Sequence, residues 1–366
     1  MPLVVVGGRV PPRWALHVNY HQASSAWTDH ISIAMINNMP DAALEDTELQ
    51  FFALLEDASG HIPILLKLYS LTGVPRTERG QRHLDNFYYP LDQLWQNRFD
   101  GVIITGTEPR CPDLRDEPYW KYLAAVFDWA ESNTSSAILS CLAAHAGVLH
   151  SDGVGRHRLP DKKFGVFEFG QRVNHPFVTG ISGPVRFPHS RWNEVKAEEL
   201  VASGYTLLTQ AADGGVDTFV KKKAQSLFLH FQGHPEYEAE TLLKEYRRDI
   251  RRFLTKERET YPTMPRGYFD ASAEKTLTDF RELVLREPRE ELMAGFPDSV
   301  LSKTLGKTWE LSATTIYGNW LRYLVARKKE RADTSAADRQ WPAASESDFV
   351  SQSGLSKPTT TVRPRE

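Results

Sequence analysis

The chain has 366 residues, of which 41% are hydrophobic and 25% charged, with a formal net charge of −3. This composition is that of a globular protein with a sizeable core, and it excludes a global basic field for nucleic acid. No apolar stretch approaches the ~18 residues of a membrane span, and two distant cysteines exclude a disulfide framework or a paired-cysteine metal site. Because no signal-peptide pattern opens the chain, we expect a cytoplasmic, reduced protein.

The first half of the chain alternates short apolar runs with amphipathic segments. Residues 1–29 predict an irregular N-terminal arm. Strands that alternate with helices are typical of a parallel sheet with helices on both faces, so the predicted fold class is an α/β sandwich. Its ligands are expected beyond the carboxyl ends of the strands. The predicted strands are 30–36, 62–70, 100–109 and 135–141, and helices are predicted after residue 40, at 119–132 and after residue 141.

The second half of the chain predicts shorter strands followed by helices. The run from 216 to 234 reads as a hairpin, and helices are predicted at 237–257, within 270–305 and at 312–328. From residue 331 onward Ser, Thr, Pro and Ala dominate, which predicts a disordered tail because few apolar groups offset the ordering entropy. The predicted organisation is therefore one catalytic domain at 30–330 and a tail at 331–366.

Cys141 lies where a predicted strand meets a predicted helix, in "AILSCLAAHAG". A cysteine on such a turn is a candidate nucleophile elbow, and the helix N-terminus favours its thiolate form. The backbone N–H of Leu142 would then face a developing oxyanion. The alternative is a small buried hydrophobe at a strand end, and this segment alone does not decide between the two.

A base for such a thiolate is present in "FLHFQGHPEYEAE". Pro235 favours an extended conformation at His234, and residues two apart in an extended chain face the same way. The carboxylate of Glu236 would therefore reach the imidazole of His234 and hold its tautomer. A cysteine at one strand end and this His-Pro-Glu about 90 residues later predict a Cys141–His234–Glu236 triad. His145, one helical turn after the cysteine, is expected to be a packed or solvent-facing residue.

Several short motifs around these residues resemble those of the homoserine O-acyltransferase family, which has a class I glutamine amidotransferase-like fold. The resemblance implies that an acyl-CoA acylates Cys141, with His234 as base, and that the hydroxyl of homoserine accepts the acyl group. The acyl-CoA would be a substrate, with no further cofactor. The motifs that carry the resemblance are "INNMPDAALEDTE", "LDNFYYPLDQLWQNRFDGVIITGTEP", "DEPYW", "SCLAAHAG", "DKKFGVFE", "FPHSRW", "GHPEYEAETLLKEYRRD" and "IYGNWLRYLVARK".

The same resemblance implies three substrate-binding residues. Lys162, in "DKKFG", lies where the family keeps a substrate-contacting lysine, and Ser190, in "FPHSRW", matches a substrate-site serine. Arg248, in "YRRD", matches an arginine that holds the carboxylate of the amino acid. A solvated charge or a helix cap is the alternative interpretation for each of them.

The sequence departs from the family at the residue that selects the acyl group. That position is a glycine in succinyl-transferring and a glutamate in acetyl-transferring members, and here it is Arg110. An arginine can pair bidentately with a second carboxylate, which favours a succinyl or another dicarboxylic group. Alternatively, Arg110 points into solvent or to the phosphates of CoA. Glu108, in place of the usual proline, and an insertion near 275–305 also depart from the family.

Succinyl transfer from succinyl-CoA to L-homoserine is thus the predicted reaction, which belongs to methionine biosynthesis. An acetyl donor, another acceptor such as serine, a glutaminase or hydrolase, and an inactive binding relative stay open as alternatives. The glutaminase reading is disfavoured because such domains flank their cysteine with glycines, whereas Ser140 and Leu142 flank this one. The expected partners are small-molecule substrates, without nucleic acid or membrane, and a homodimer is left open.

Overall fold

A central sheet organises the protein in the computed structural model, which describes residues 3–5, 13–14 and 30–340. The described part of this sheet has eight strands in the order β1-β3-β2-β4-β5-β11-β10-β8. The first six are parallel, and β10 and β8 close one edge in antiparallel pairing. The predicted α/β fold is therefore confirmed. The strands are β1 (Leu3–Val5), β2 (Ile31–Ile36), β3 (Ile64–Tyr69), β4 (Gly101–Ile104), β5 (Ser136–Ser140), β8 (Thr206–Leu207), β10 (Thr218–Lys223) and β11 (Ser226–Phe231).

Helices cover both faces of this sheet. Successive residues of each strand point to opposite faces, and both faces are apolar, so each needs a layer of helices to bury it. Ile33 and Met35 of β2 belong to one apolar core, whereas Ala34 and Ile36 belong to the other. The first core contains residues of α1, α7, α8 and α10, and the second contains residues of α4 and α5. The helices are α1 (Asp41–Ser59), α2 (Glu78–Phe87), α3 (Asp92–Trp95), α4 (Trp120–Asn133), α5 (Leu142–Asp152), α6 (Ala197–Ala202), α7 (Thr241–Leu254), α8 (Ala271–Arg286), α9 (Asp298–Leu301) and α10 (Glu310–Gln340).

A second, smaller sheet is built on a long hairpin of β6 (His157–Gln171) and β7 (Val185–Glu194), with β9 (Thr209–Gln210) on its other edge. The hairpin contacts the end of β11, where the backbone N–H of His234 donates to the carbonyl of Pro188 at 2.9 Å. The sequence patterns did not predict this hairpin, because charged residues interrupt the apolar alternation of β6.

Two predictions about the ends of the chain need correction. The N-terminal arm is not wholly irregular, since Leu3–Val5 pairs in parallel with β3. The disordered tail predicted from residue 331 is wrong for residues 331–340, which continue α10. Arg331 there bonds Asp100 beside β4, Nη2 to Oδ1, at 2.5 Å. The rest of the predicted tail, 341–366, and most of the predicted arm lie outside the described residues.

The region of the predicted insertion, near 275–305, contains most of α8, a 3-10 turn at Glu290–Gly295 and α9. Phe280 and Leu301 from this region are buried in the same core as α7. Arg247 of α7 also forms an ion pair with Asp298, Nη1 to Oδ2, at 2.7 Å. The region therefore packs against the main domain, and its being atypical of the family stays a prediction.

Candidate active site

Cys141 occupies a sharp turn between β5 and α5. Its backbone has φ 52° and ψ −111°, one of three positive φ values among the described non-glycine residues. Such a conformation costs free energy and persists only where the surroundings impose it. The backbone N–H of Cys141 donates to the carbonyl of Phe231 at 2.8 Å, which ties the turn to β11. The structure thus places the cysteine in the elbow geometry that the sequence predicts.

His234 and Glu236 meet as their spacing predicts. The Nδ1 atom of His234 is 2.8 Å from Oε1 of Glu236, and Cys141 is near enough to act on the charge of the imidazole. Burial opposes a positive charge on His234, but Cys141 and Glu236 outweigh it and raise its pKa well above the ordinary value. Because Nδ1 is engaged by Glu236, Nε2 is left to exchange a proton with the sulfur.

The two halves of this triad come together because β5 and β11 are parallel neighbours. Leu139 pairs with His230 and Ser140 with Phe231, so both strands end at the same edge of the sheet. Cys141 directly follows β5, and His234 lies three residues beyond β11. Sheet pairing therefore brings together residues that are far apart in the chain.

The turn after β4 packs closely against the start of α5. A Cβ atom added to Gly106 would lie 2.6 Å from Cβ of Leu142 and 3.0 Å from its backbone nitrogen. As the first residue of α5, Leu142 has an N–H without an intrahelical acceptor. Asn38 fixes the turn, with its backbone N–H bonded to Oγ1 of Thr105 at 2.8 Å and its side-chain amide to the Thr105 carbonyl at 3.1 Å. This arrangement suits an oxyanion site at Leu142.

The three predicted substrate-binding residues converge on two carboxylates of α7, Glu245 and Asp249. Lys162 lies 2.9 Å from Asp249 and 3.6 Å from Glu245, measured between Nζ and the carboxylate oxygens. The hydroxyl of Ser190 donates to Glu245, and Arg248 is 3.2 Å from Asp249 through Nη2. We call these five residues the acceptor cluster.

The ion pairs of the acceptor cluster favour the ionised form of the Asp249 carboxylate. Burial acts to raise the pKa of Asp249, but Lys162 and Arg248 outweigh it and lower that pKa. Burial likewise acts to lower the pKa of Arg248, and Glu245 and Asp249 reverse the effect. The cluster is therefore a set of paired charges, of the kind that could exchange partners with a zwitterionic ligand.

Tyr237 connects the triad to the acceptor cluster. Its ring stacks on the imidazole of His234, with centroids 4.2 Å apart and planes 16° from parallel. Its hydroxyl donates to Oε1 of Glu245 at 2.7 Å. The base and the predicted acceptor site are thus neighbours, as a transfer between them requires.

A buried polar network holds the backbone next to His234. The N–H of Gly233 donates to Oδ1 of Asp217 at 2.7 Å, and Nε2 of His189 faces the same oxygen at 3.3 Å. Arg191 donates from Nε to Nδ1 of His189 at 3.1 Å. A Cβ on Gly233 would lie 2.8 Å from Nε2 of His189, so this glycine is required for close packing.

Arg110 lies in the loop between β4 and α4. It is exposed and borders a cavity of about 200 Å³ that Pro40, Val74 and Thr107 also line. Because β4 is the direct neighbour of β5, this loop and the Cys141 turn follow adjacent strand ends. Arg110 itself is six residues beyond the end of β4.

A family model for homoserine O-succinyltransferase matches residues 15–331. The chain belongs to this family. It is 44% identical over 297 residues to the homoserine O-succinyltransferase of Rhodopseudomonas palustris, covering 81% of this chain and 89% of that protein. The homoserine O-succinyltransferase of Bradyrhizobium japonicum is 42% identical, with 81% and 90% covered. A solved structure of a glutamine amidotransferase from Methylobacillus flagellatus aligns at 13% identity with a TM-score of 0.45, over 81% of this chain and 95% of that one.

Family membership confirms the resemblance inferred from the motifs, and the structure adds residues that they did not single out. Glu245, Tyr237 and Asn38 are the main ones. The spacing of Glu245, Arg248 and Asp249 on α7, at i, i+3 and i+4, was a usable signal because such residues share one face of a helix. His145 proves to be packed, with Nε2 2.9 Å from Oε1 of Gln232 and its pKa lowered to about 3 by burial.

Within the described ranges, no helix is long and apolar enough to cross a membrane. The same residues contain no group of three or more His, Cys, Asp or Glu side chains arranged to hold a metal ion.

Proposed function

We propose that this protein transfers the succinyl group of succinyl-CoA to the hydroxyl of L-homoserine through a thioester on Cys141. The observation that carries the proposal is the Cys141–His234–Glu236 constellation at adjacent strand ends, in a chain of the homoserine O-succinyltransferase family. A covalent intermediate divides one difficult transfer into two easier steps. The acyl group arrives already activated as a thioester, so the chemistry needs no resident cofactor.

In the first half-reaction, Cys141 transfers its proton to His234, and its sulfur attacks the thioester carbonyl of succinyl-CoA. The carbonyl oxygen becomes an oxyanion beside the backbone N–H of Leu142. Collapse of this intermediate breaks the bond to the sulfur of CoA, and His234 returns the proton to the departing thiolate. The products are free CoA and a succinyl thioester on Cys141, and Glu236 orients the imidazole throughout.

In the second half-reaction, His234 takes the proton of the homoserine hydroxyl, whose oxygen attacks the thioester on Cys141. Collapse of the second tetrahedral intermediate forms the ester and releases the cysteine sulfur, which regains the proton from His234. Tyr237 stacks against this imidazole. Because the hydroxyl of Tyr237 also bonds Glu245 of the acceptor cluster, we expect the homoserine hydroxyl to arrive from that side.

The acceptor cluster suits a zwitterionic amino acid. The carboxylate of homoserine would replace a protein carboxylate beside Arg248, with Lys162 and Ser190 contributing to the same subsite. Its ammonium would pair with Glu245. These exchanges keep every buried charge paired, which is the condition for burying charges at low cost.

The choice of acyl donor is assigned to Arg110. It lies in the loop after the strand next to the nucleophile strand, where a guanidinium would pair with the far carboxylate of a succinyl chain. Acetyl-CoA has no such carboxylate and gains nothing from this contact. Succinyl-CoA is therefore the proposed donor. A cytoplasmic location and a homodimer stay predictions.

The test is intact-protein mass spectrometry after separate mixing with succinyl-CoA and acetyl-CoA, followed by addition of homoserine or serine. We expect a succinyl adduct on the wild-type chain that homoserine discharges, and none on Cys141→Ser, since an alcohol is far less ionised than a thiol. Near-normal turnover by Cys141→Ser would refute the nucleophile assignment. An adduct that water discharges without ester formation would indicate a hydrolase, and no adduct with either donor would indicate a binding protein.

A further inference from the structure

The loop that carries Arg110 is held by a buried carboxylate. Glu117 is only 4% exposed, and its Oε1 atom accepts the backbone N–H of Arg110 at 2.5 Å and that of Cys111 at 2.6 Å. Hydrogen bonds to an ionised acceptor are shorter and about twice as strong as neutral ones. One side chain thus fixes two consecutive peptide groups at the position assigned to acyl selection.

A guanidinium holds the other side of the same loop. Nη2 of Arg156 donates to the carbonyl of Pro112 at 3.0 Å and lies 3.4 Å from that of Cys111. Glu117 therefore binds amide N–H groups, and Arg156 binds the carbonyls that follow them. We call this pair the loop clamp.

The loop clamp also joins the loop that carries Arg110 to the segment that follows α5. Arg156 lies four residues beyond Asp152, the last residue of α5, and α5 begins directly after Cys141. A loop usually satisfies its backbone groups with water or local turns. Here the side chains of Glu117 and Arg156 satisfy them, so the backbone at Arg110 is held against the segment that follows α5.

We propose that Glu117 and Arg156 are positioning residues that hold the backbone of Arg110 and so set the preference between dicarboxylic and monocarboxylic acyl donors. This inference rests on the proposed function and on Arg110 as the residue that meets the far end of the acyl chain. Pairing between a guanidinium and a carboxylate depends on placement, and a misplacement of about 1 Å can cost about a hundredfold in rate. Loss of the clamp should therefore reduce succinyl transfer selectively.

The experiment compares kcat/KM for succinyl-CoA and acetyl-CoA in the full-length enzyme. Glu117→Ala removes the acceptor of both N–H groups, and Glu117→Gln keeps an acceptor oxygen without the charge. Asp116→Asn is the matched control, because it removes one negative charge from an exposed neighbour. Arg110→Gln provides the reference for complete loss of the guanidinium.

We expect Arg110→Gln and Glu117→Ala to lower the succinyl-to-acetyl ratio of kcat/KM by about tenfold to a hundredfold, with acetyl transfer within about threefold of wild type. Glu117→Gln should recover part of the ratio, and Asp116→Asn should match wild type. Hydrogen exchange measured by mass spectrometry should be faster in the peptide that contains Arg110 and Cys111 when Glu117 is alanine. If Glu117→Ala does not fold, Glu117→Gln supplies both readouts.

Three results would overturn the inference. A parallel fall with both donors in the Glu117 variants would show a purely structural role. An altered ratio in Arg110→Gln with an unaltered ratio in the Glu117 variants would leave the proposed function intact and remove the clamp from it. An unaltered succinyl-to-acetyl ratio in Arg110→Gln itself would refute Arg110 as the selecting residue, and with it the role of the clamp. Acylation of Cys141 is tested separately by mass spectrometry, so this result would not refute it.

Discussion

The triad and the acceptor cluster are neighbours, but they are built in different ways. In the triad, adjacent parallel strands and one His-Pro-Glu spacing place Cys141, His234 and Glu236, and each group has a defined partner. In the acceptor cluster, side chains of β6, β7 and α7 meet around Glu245 and Asp249. Backbone geometry positions the first region, whereas charge pairing holds the second.

This difference separates the two half-reactions. The triad needs little rearrangement to attack an acyl-CoA, because Glu236 already orients the imidazole of His234 and Cys141 already acts on its charge. The acceptor cluster has to exchange internal ion pairs for those of the substrate. Changes at the triad should therefore impair acylation of Cys141, and changes at the cluster should impair discharge to homoserine.

Replacing His234 should have the largest effect among the following changes. His234→Ala removes the base from both half-reactions, and general base catalysis typically supplies about 10²–10⁴-fold. We expect a fall of that size in the acylation rate of Cys141, measured by stopped-flow release of CoA. His150→Ala, on the far end of α5, is the control and should acylate normally. Equal acylation rates in His234→Ala and His150→Ala would refute His234 as the base.

Gly106→Ala should impair the same half-reaction by displacing the oxyanion site. The new Cβ would approach Leu142 to 2.6–3.0 Å, and loss of one oxyanion donor typically costs about 10²–10³-fold. We expect acylation to slow by about a hundredfold with succinyl-CoA and acetyl-CoA alike. Gly155→Ala is the matched control, since a Cβ there meets open space. Normal acylation by Gly106→Ala would contradict the assignment of the Leu142 N–H to the oxyanion site.

Glu245→Gln tests the acceptor cluster. It removes the carboxylate that meets Lys162, Ser190 and Tyr237, so we expect kcat/KM for homoserine to fall by about tenfold to a hundredfold, the range of a charge-assisted pair. Acylation by succinyl-CoA should stay within about threefold of wild type. An equal loss in acylation would mean that Glu245 acts through Tyr237 on His234, and the two regions would then work as one.

Truncation at the C-terminal end should affect neither the triad nor the acceptor cluster. We expect it to have the smallest effect of these four changes. Ending the chain after Lys329 removes the bond between Arg331 and Asp100, a partly exposed pair that contributes at most about 1 kcal/mol. Ending it after residue 340 keeps that pair, and we expect its thermal unfolding to match that of the full chain. Both truncations should retain normal half-reactions. A large loss of stability in the longer variant would show that residues 341–366 contribute to the fold.

The amino-acid sequence by itself determined the elements whose signals are local. Apolar runs predicted β2 to β5, and the cysteine at the end of such a run predicted the turn at Cys141. The spacing of His234 and Glu236 was sufficient because side chains two residues apart in an extended segment point the same way. These features depend on residues close together in the chain, so periodicity and spacing carry the information.

Only the tertiary structure decided which distant charges meet. Lys162 and Ser190 reach Glu245 because β6 and β7 pair in one register, with Phe164 opposite Ser190, and because α7 turns its carboxylates toward them. A shift of one residue would turn Ser190 to the other face. The clamp of Glu117 and Arg156 and the contact of Gly106 with Leu142 likewise depend on packing between separate segments. Such contacts follow from long-range geometry, which no short motif specifies.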